Sequence, residues 1–335
     1  MEGKIINNYA EIVFGKDNRM YLMGVAIVWI VLFHLSYWTG VAGGQSPWWI
    51  RLFSEGQLGV DIFLFLSSYG LEASFEKNKL FVFWHNRIRR LFPVYFFFLI
   101  VLFLLFENHC PCKRIIVQCL YQITGLSLFQ YPEFFSSGFC FDWFTPAIII
   151  IYVIFPILSW IIRYFATKYI FYEILLLFLA IFVGNWIHVN KHLPIGLLSY
   201  RMAIVLLGSM TFVHLRKGRL QRLLSLFFIS SCFAFLCGER ALILSLTIPH
   251  LLFVFSLVHY HLPLKRLISF IGKYSYEVYL SHIYAVAFFI PKGIVTDPYW
   301  ITLITISSTI IIAFCFSLGQ KSYILITNNV WRHGS

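Results

Sequence analysis

An imidazole set in a lipid-soluble stretch is the first group that chemistry would pick out. His34 stands in "AIVWIVLFHLSYW", residues 26–38, in the outer half of the first long apolar run. The second run begins in "EGQLGVDIFLFLSSYG" and returns, so Asp61 lies about one turn inside the same face. "GLLSYRMAIV" brings Arg201 to a similar depth, and "FDWFTP" puts Asp142 and Trp143 at the mouth of another run. Charged groups at mid-span cost about 2.5–3.5 kcal/mol each on insertion scales, so each needs a partner or a task. A carboxylate beside an imidazole fixes its tautomer and supports positive charge on it, as a general base requires. The same pairing also glues helices together, and Arg201 suits an ion pair with Asp61 or Asp142 as well as it suits a substrate.

A second group of residues sits on the other face. In "FWHNRIRRLFPVYFFF", Arg87 and Arg90 are three apart and share a helix face, while Arg89 points elsewhere. Pro93 suits the first turn of a new helix. Guanidinium forks bind phosphate oxygens bidentately, so the three arginines suit a polyphosphate at the membrane surface; anchoring to anionic lipid is the plainer use. "GKYSYEVYLSHIY" carries Ser275, Tyr279 and His282 on nearby helix faces, with His282 about 15 Å along the helix from Gly272. Glu173, His250 and Glu277 are further ionisable groups in apolar surroundings.

These groups must be held by helices in lipid. Of the 335 residues 60% are hydrophobic and only 12% charged, with a mean hydropathy of +0.79. Soluble chains carry about 25% charged residues, and apolar runs of about 18–25 residues recur here from end to end. The composition therefore predicts an all-α polytopic membrane protein forming a single domain over 1–335. Ten spans are expected, at 20–38, 57–75, 91–106, 145–162, 169–187, 197–214, 221–237, 241–259, 272–290 and 300–319. Residues 1–19 form a polar lead-in, and the run after them lacks a small-residue cleavage site, as a retained first span would.

Alternating these spans puts nineteen Lys and Arg on the side of the termini and six on the other, with Arg201 inside a span. The excess places both termini in the cytoplasm of a cell-membrane protein. The net charge of +12 is spread over short inter-span segments, which argues against nucleic acid as a partner. The longest outward segment, 107–144, contains Cys110, Cys112, Cys119 and Cys140; these either pair in an oxidising compartment or stay free. Trp38, Trp48, Trp49, Trp143 and Trp186 fit an interfacial aromatic belt, with sugar stacking as their alternative use.

Read in order, five stretches resemble the acyltransferase 3 family of integral membrane acyltransferases. They are "MGVAIVWIVLFHL", "LGVDIFLFLSSYGL", "RIRRLFPVY", "WFTPAIIIIYVIFP" and "GKYSYEVYLSH". The resemblance implies O-acylation, as acetylation, of a surface polysaccharide or lipid-linked glycan from cytoplasmic acetyl-CoA, a donor substrate, with no permanently bound cofactor or metal expected. It implies His34 as the catalytic imidazole and Arg87 and Arg89 as the pair that meets the acyl-CoA, with Arg90 beside them. Functional weight for Asp61, Trp143 and His282 follows too, and Arg201 joins Trp143 and His282 as a candidate substrate contact. Met23 stands where the family usually has Arg or Lys, eleven residues before its His and on the same helix face; Arg19, one turn earlier, is placed to reach that space. Ser68 replaces a usual Gly, and Ile148 and Ile149 replace common acidic residues. The alternative function is a transporter or flippase for a lipid-linked glycan, whose path the intramembrane polar residues would line; neither internal repeats nor Gly/Pro-broken helices stand out in support of it.

Overall fold

The computed structural model describes residues 14–38, 52–106, 112–130, 142–166, 168–191, 194–258 and 264–289, with single positions between 307 and 318. Most of the expected tenth span, with Trp48, Trp49, Cys110, Cys140 and Cys315, lies outside the described residues. Within them the chain is helical, in the order α1 (Lys16–Trp38), α2 (Leu58–Lys77), α3 (Leu80–Phe106), α4 (Cys112–Thr124), α5 (Phe144–Ile161), α6 (Ile170–Lys191), α7 (Ile195–Ser199), α8 (Met202–Arg216), α9 (Leu220–Cys237), α10 (Arg240–Val258), α11 (Lys265–Lys273) and α12 (Ser275–Phe289). Six stretches among these residues are long and apolar enough to cross a membrane: Asp17–Ser36, Leu58–Lys77, Phe144–Tyr164, Ile170–Asn190, Ile195–Arg216 and Leu220–Cys237. This is an integral membrane protein.

The bundle has a centre and a rim. The apolar window of α2 is 72% buried and that of the α7–α8 stretch 83%, against 22% for α6 and 28% for α9. In lipid the helices that carry polar groups take the centre and the more apolar ones the rim, and α2, with Asp61, Ser68 and Glu72, is buried without a gap from Leu58 to Leu66. Without a hydrophobic force between helices in lipid, close approach depends on small residues. A Cβ on Gly208 of α8 would stand 2.3 Å from the Phe65 carbonyl oxygen of α2, and one on Gly272 of α11 would stand 1.8 Å from that of Met20 on α1. Backbone therefore rests on backbone at both crossings, and α1 and α2 line the same interior.

Three local features differ from the sequence expectation. Pro93 lies inside the continuous helix α3 rather than opening a new one, so the three arginines ride on the N-terminal half of the same rod. Proline removes one N–H from the ladder, a loss that a long helix with intact turns on both sides absorbs. The expected sixth span is interrupted at Tyr200–Arg201, where α7 ends and α8 begins, with neither Gly nor Pro at the break. Arg201 caps that break by donating from Nη1 to the Leu197 carbonyl at 3.0 Å. The ninth span is likewise preceded by a separate amphipathic helix, α11, with the chain turning at Tyr274. Of the cysteines in the segment expected to face outward, Cys119 is a free thiol.

Candidate active site

α1 runs from Arg19 at one end of the bundle to His34 at the other, fifteen residues or about 22 Å along the helix. α2 returns, carrying Asp61 at the histidine end and Lys77 at the arginine end. Between them lies a cavity of about 630 Å³. Its arginine end is lined by Arg19, Lys77, Arg87, Arg90 and Lys273, with Glu277 as the one carboxylate among them. Toward the histidine end the walls turn apolar, with Met23, Ile30, Val60, Phe63, Phe144, Ile148 and Tyr279. Polyanion at one end and acyl chain at the other is what such walls accommodate.

The arginine cluster is divided as helix geometry requires. Arg87 and Arg90 face the cavity; Arg89, one of the two implied by resemblance, does not line it. Arg87 lies over the Phe83 ring at 5.4 Å, and its Nε is buried with no hydrogen-bond partner. Arg19 does enter the space beside Met23, which itself lines the cavity. Its guanidinium passes over Gly70 of α2, where a Cβ would stand 2.8 Å from Nη1, so the glycine makes room for the cation. Lys77, Lys273 and Glu277 were not legible as one group, because they come from α2, α11 and α12 and meet only in the folded bundle.

At the histidine end two clusters stand side by side. His34 Nδ1 lies 2.9 Å from the Ile30 carbonyl oxygen and 3.3 Å from His282 Nε2; His282 Nδ1 lies 3.2 Å from the Val278 carbonyl oxygen. The two rings are 5.0 Å apart, and His282 is fully buried with the Tyr279 ring 5.6 Å away. The cavity reaches Ile30 and Tyr279, so it ends within about one helical turn of both imidazoles. Tyr279 donates its hydroxyl to Asp142 Oδ1 at 2.9 Å, and Asp142 Oδ1 also takes the Thr145 N–H at 3.0 Å, capping α5.

Asp61 corrects an expectation. Rather than holding the His34 ring, its Oδ1 accepts from Arg201 Nε at 2.9 Å, the ion-pair alternative open from sequence. A buried guanidinium needs a carboxylate more than a neutral imidazole does, because its charge cannot be shed. Arg201 also stacks on the Tyr200 ring at 4.2 Å and the Trp143 ring at 5.3 Å. Trp143, Asp61 and Arg201 thus form one assembly, and His34 with His282 another. Asp61 Oδ2 and Asp142 Oδ2 are buried and make no hydrogen bond of good geometry, with the Ser245 hydroxyl near the first carboxylate and the Thr145 hydroxyl and Phe144 N–H near the second.

A model of the acyltransferase domain family matches residues 21–318, nearly the whole chain and every site residue named above except Arg19. The chain belongs to the acyltransferase 3 family. Neither the curated proteins nor the solved structures searched contain a match. Membership makes it a membrane acyltransferase, and the five motifs quoted from the sequence all fall inside the matched region.

Proposed function

We propose that this acyltransferase moves an acetyl group from cytoplasmic acyl-CoA to a hydroxyl of a surface polysaccharide or lipid-linked glycan, with His34 as general base. The observation that carries the reading is a cavity, lined by five cations among the described residues, whose apolar end reaches Ile30 and Tyr279, about one helical turn from His34 and His282. In this reading the phosphates of the donor rest among Arg19, Arg87, Arg90, Lys77 and Lys273, and the pantetheine arm runs up the apolar wall. The thioester then arrives at Ile30, eleven residues or about 16 Å along α1 from Arg19. The ten-span topology, with both termini in the cytoplasm of the inner membrane, puts the cations on the side where acyl-CoA is found.

Neutral His34 takes the acceptor's hydroxyl proton as the oxygen attacks the thioester carbonyl. The tetrahedral intermediate collapses, the C–S bond breaks, and the departing thiolate takes the proton from the imidazolium. Asp61 and Asp142 each keep an oxygen that makes no hydrogen bond of good geometry, suited to accept hydrogen bonds from hydroxyls of the acceptor. Trp143 and Arg201 hold Asp61 from behind, through the ion pair and the ring stacked on the guanidinium. A covalent route through acyl-His34 uses the same parts and differs in kinetics, giving ping-pong behaviour and a trappable acyl-enzyme.

Membranes holding the full chain, supplied with labelled acetyl-CoA and glycan acceptor, test this directly. CoA release and label transfer are expected to fall by at least about 10²-fold in His34→Ala at equal insertion. Undiminished turnover in that variant overturns the assignment of the base. Absence of any acyl transfer by the native chain returns the transporter reading.

A further inference from the structure

We infer that His282 is a positioning residue for the transfer: its Nε2 accepts the Nδ1–H of His34 and holds that ring in the tautomer whose Nε2 lone pair is free. The inference rests on the reading of His34 as base. Carbonyl oxygens only accept, so the contacts from His34 Nδ1 to Ile30 (2.9 Å) and from His282 Nδ1 to Val278 (3.2 Å) put a hydrogen on each Nδ1. A neutral imidazole has one N–H, which leaves both Nε2 atoms as acceptors. His282 Nε2 faces His34 Nδ1 at 3.3 Å, so the His34 N–H is shared between a backbone carbonyl and the second ring. His34 Nε2, on the far side of its ring, is left to receive a proton.

The arrangement also accounts for the charge formed in the reaction. Once His34 has taken the acceptor's proton, its Nδ1–H points at a neutral lone pair, which supports the cation without a second charge buried throughout the cycle. The supporting ring is itself clamped. Tyr279 packs against His282, Tyr279 donates to Asp142, and Asp142 is fixed at the start of α5. Three helices thereby converge on one imidazole orientation, which is what a base placed by a partner rather than by its own rotamer requires.

Two substitutions separate this role from packing. His282→Leu removes the acceptor at similar volume, and His282→Gln offers an amide oxygen where Nε2 stood. In detergent-solubilised full-length protein, kcat is expected to fall about 10²-fold in the Leu variant and to stay within about tenfold of native in the Gln variant, with donor KM within about twofold in both. Unfolding temperatures of the two are expected to agree, since a packing role would move kcat and stability together. Native kcat in His282→Leu, or a Gln variant no better than Leu, overturns the positioning role. Loss of activity in His34→Ala beside a fully active His282→Leu overturns that role alone, whereas full activity in His34→Ala overturns the reading beneath it.

Discussion

Two ends of α2 carry buried carboxylates, and they are finished differently. Toward the arginine end Glu72 accepts from Ser159 at 2.7 Å, Arg163 at 2.5 Å and Ser209 at 2.5 Å, using both oxygens. Glu173 on α6 is likewise closed, with His214 at 2.6 Å on one oxygen and Arg222 at 2.6 Å on the other. On α2, eleven residues or about 16 Å from Glu72, Asp61 has one well-formed partner, Arg201, and its Oδ2 makes no hydrogen bond of good geometry; Asp142 Oδ2 makes none either. The closed pairs tie α2, α5, α6, α8 and α9 together. The open pair stands behind the cavity wall, Asp61 next to Val60 in the chain and Asp142 bonded to the Tyr279 hydroxyl. A buried polar group that is satisfied by its neighbours holds the fold, and one that is not is available to a ligand.

The sharpest way to break this contrast is to empty one carboxylate of each kind. Glu72→Ala removes the acceptor of Ser159 and Ser209 and leaves Arg163, partly exposed, with the Glu76 carboxylate, and is expected to cost about 1–3 kcal/mol, read as a drop in unfolding temperature in detergent. Asp142→Asn keeps an oxygen for Thr145 and Tyr279, so its unfolding temperature is expected to stay within about 2 °C of native while acyl transfer falls about tenfold. If Glu72→Ala proves as stable as native, the division into closing and open carboxylates fails.

The same logic divides the arginines. Arg87→Ala and Arg90→Ala each remove a cavity-lining fork and are expected to raise donor KM about tenfold, equivalent to about 1.4 kcal/mol of charge-assisted hydrogen bonding. Arg89→Ala, off the cavity, is expected to change KM less than about twofold. Steady-state kinetics against acetyl-CoA read all three, and a large effect confined to Arg89 would move the donor out of this cavity.

The smallest effect is expected at Gly70. A methyl there meets only the flexible end of Arg19, so Gly70→Ala should move the guanidinium and raise donor KM about twofold without loss of stability. An unchanged KM would detach Arg19 from the donor.

Much of this protein was legible along the chain. Composition and the length of the apolar runs settled that it is helical and membrane-embedded, and helix periodicity placed Arg87 and Arg90 on a face apart from Arg89. The order of five motifs named the family. The break at Tyr200–Arg201 and the continuity of α3 through Pro93 were not legible, since neither depends on local propensity alone.

What only the tertiary structure decided is who meets whom. Residue type and depth put His34, Asp61, Arg201, Asp142 and Trp143 at one level of the membrane, but a level is a plane and several pairings fit within it. The backbone contacts at Gly24, Gly208 and Gly272 set how the helices rotate and cross, and that rotation gives Asp61 to Arg201 and His282 to His34. Depth follows from hydrophobicity, which each segment carries by itself; partnership follows from packing, which no segment carries alone.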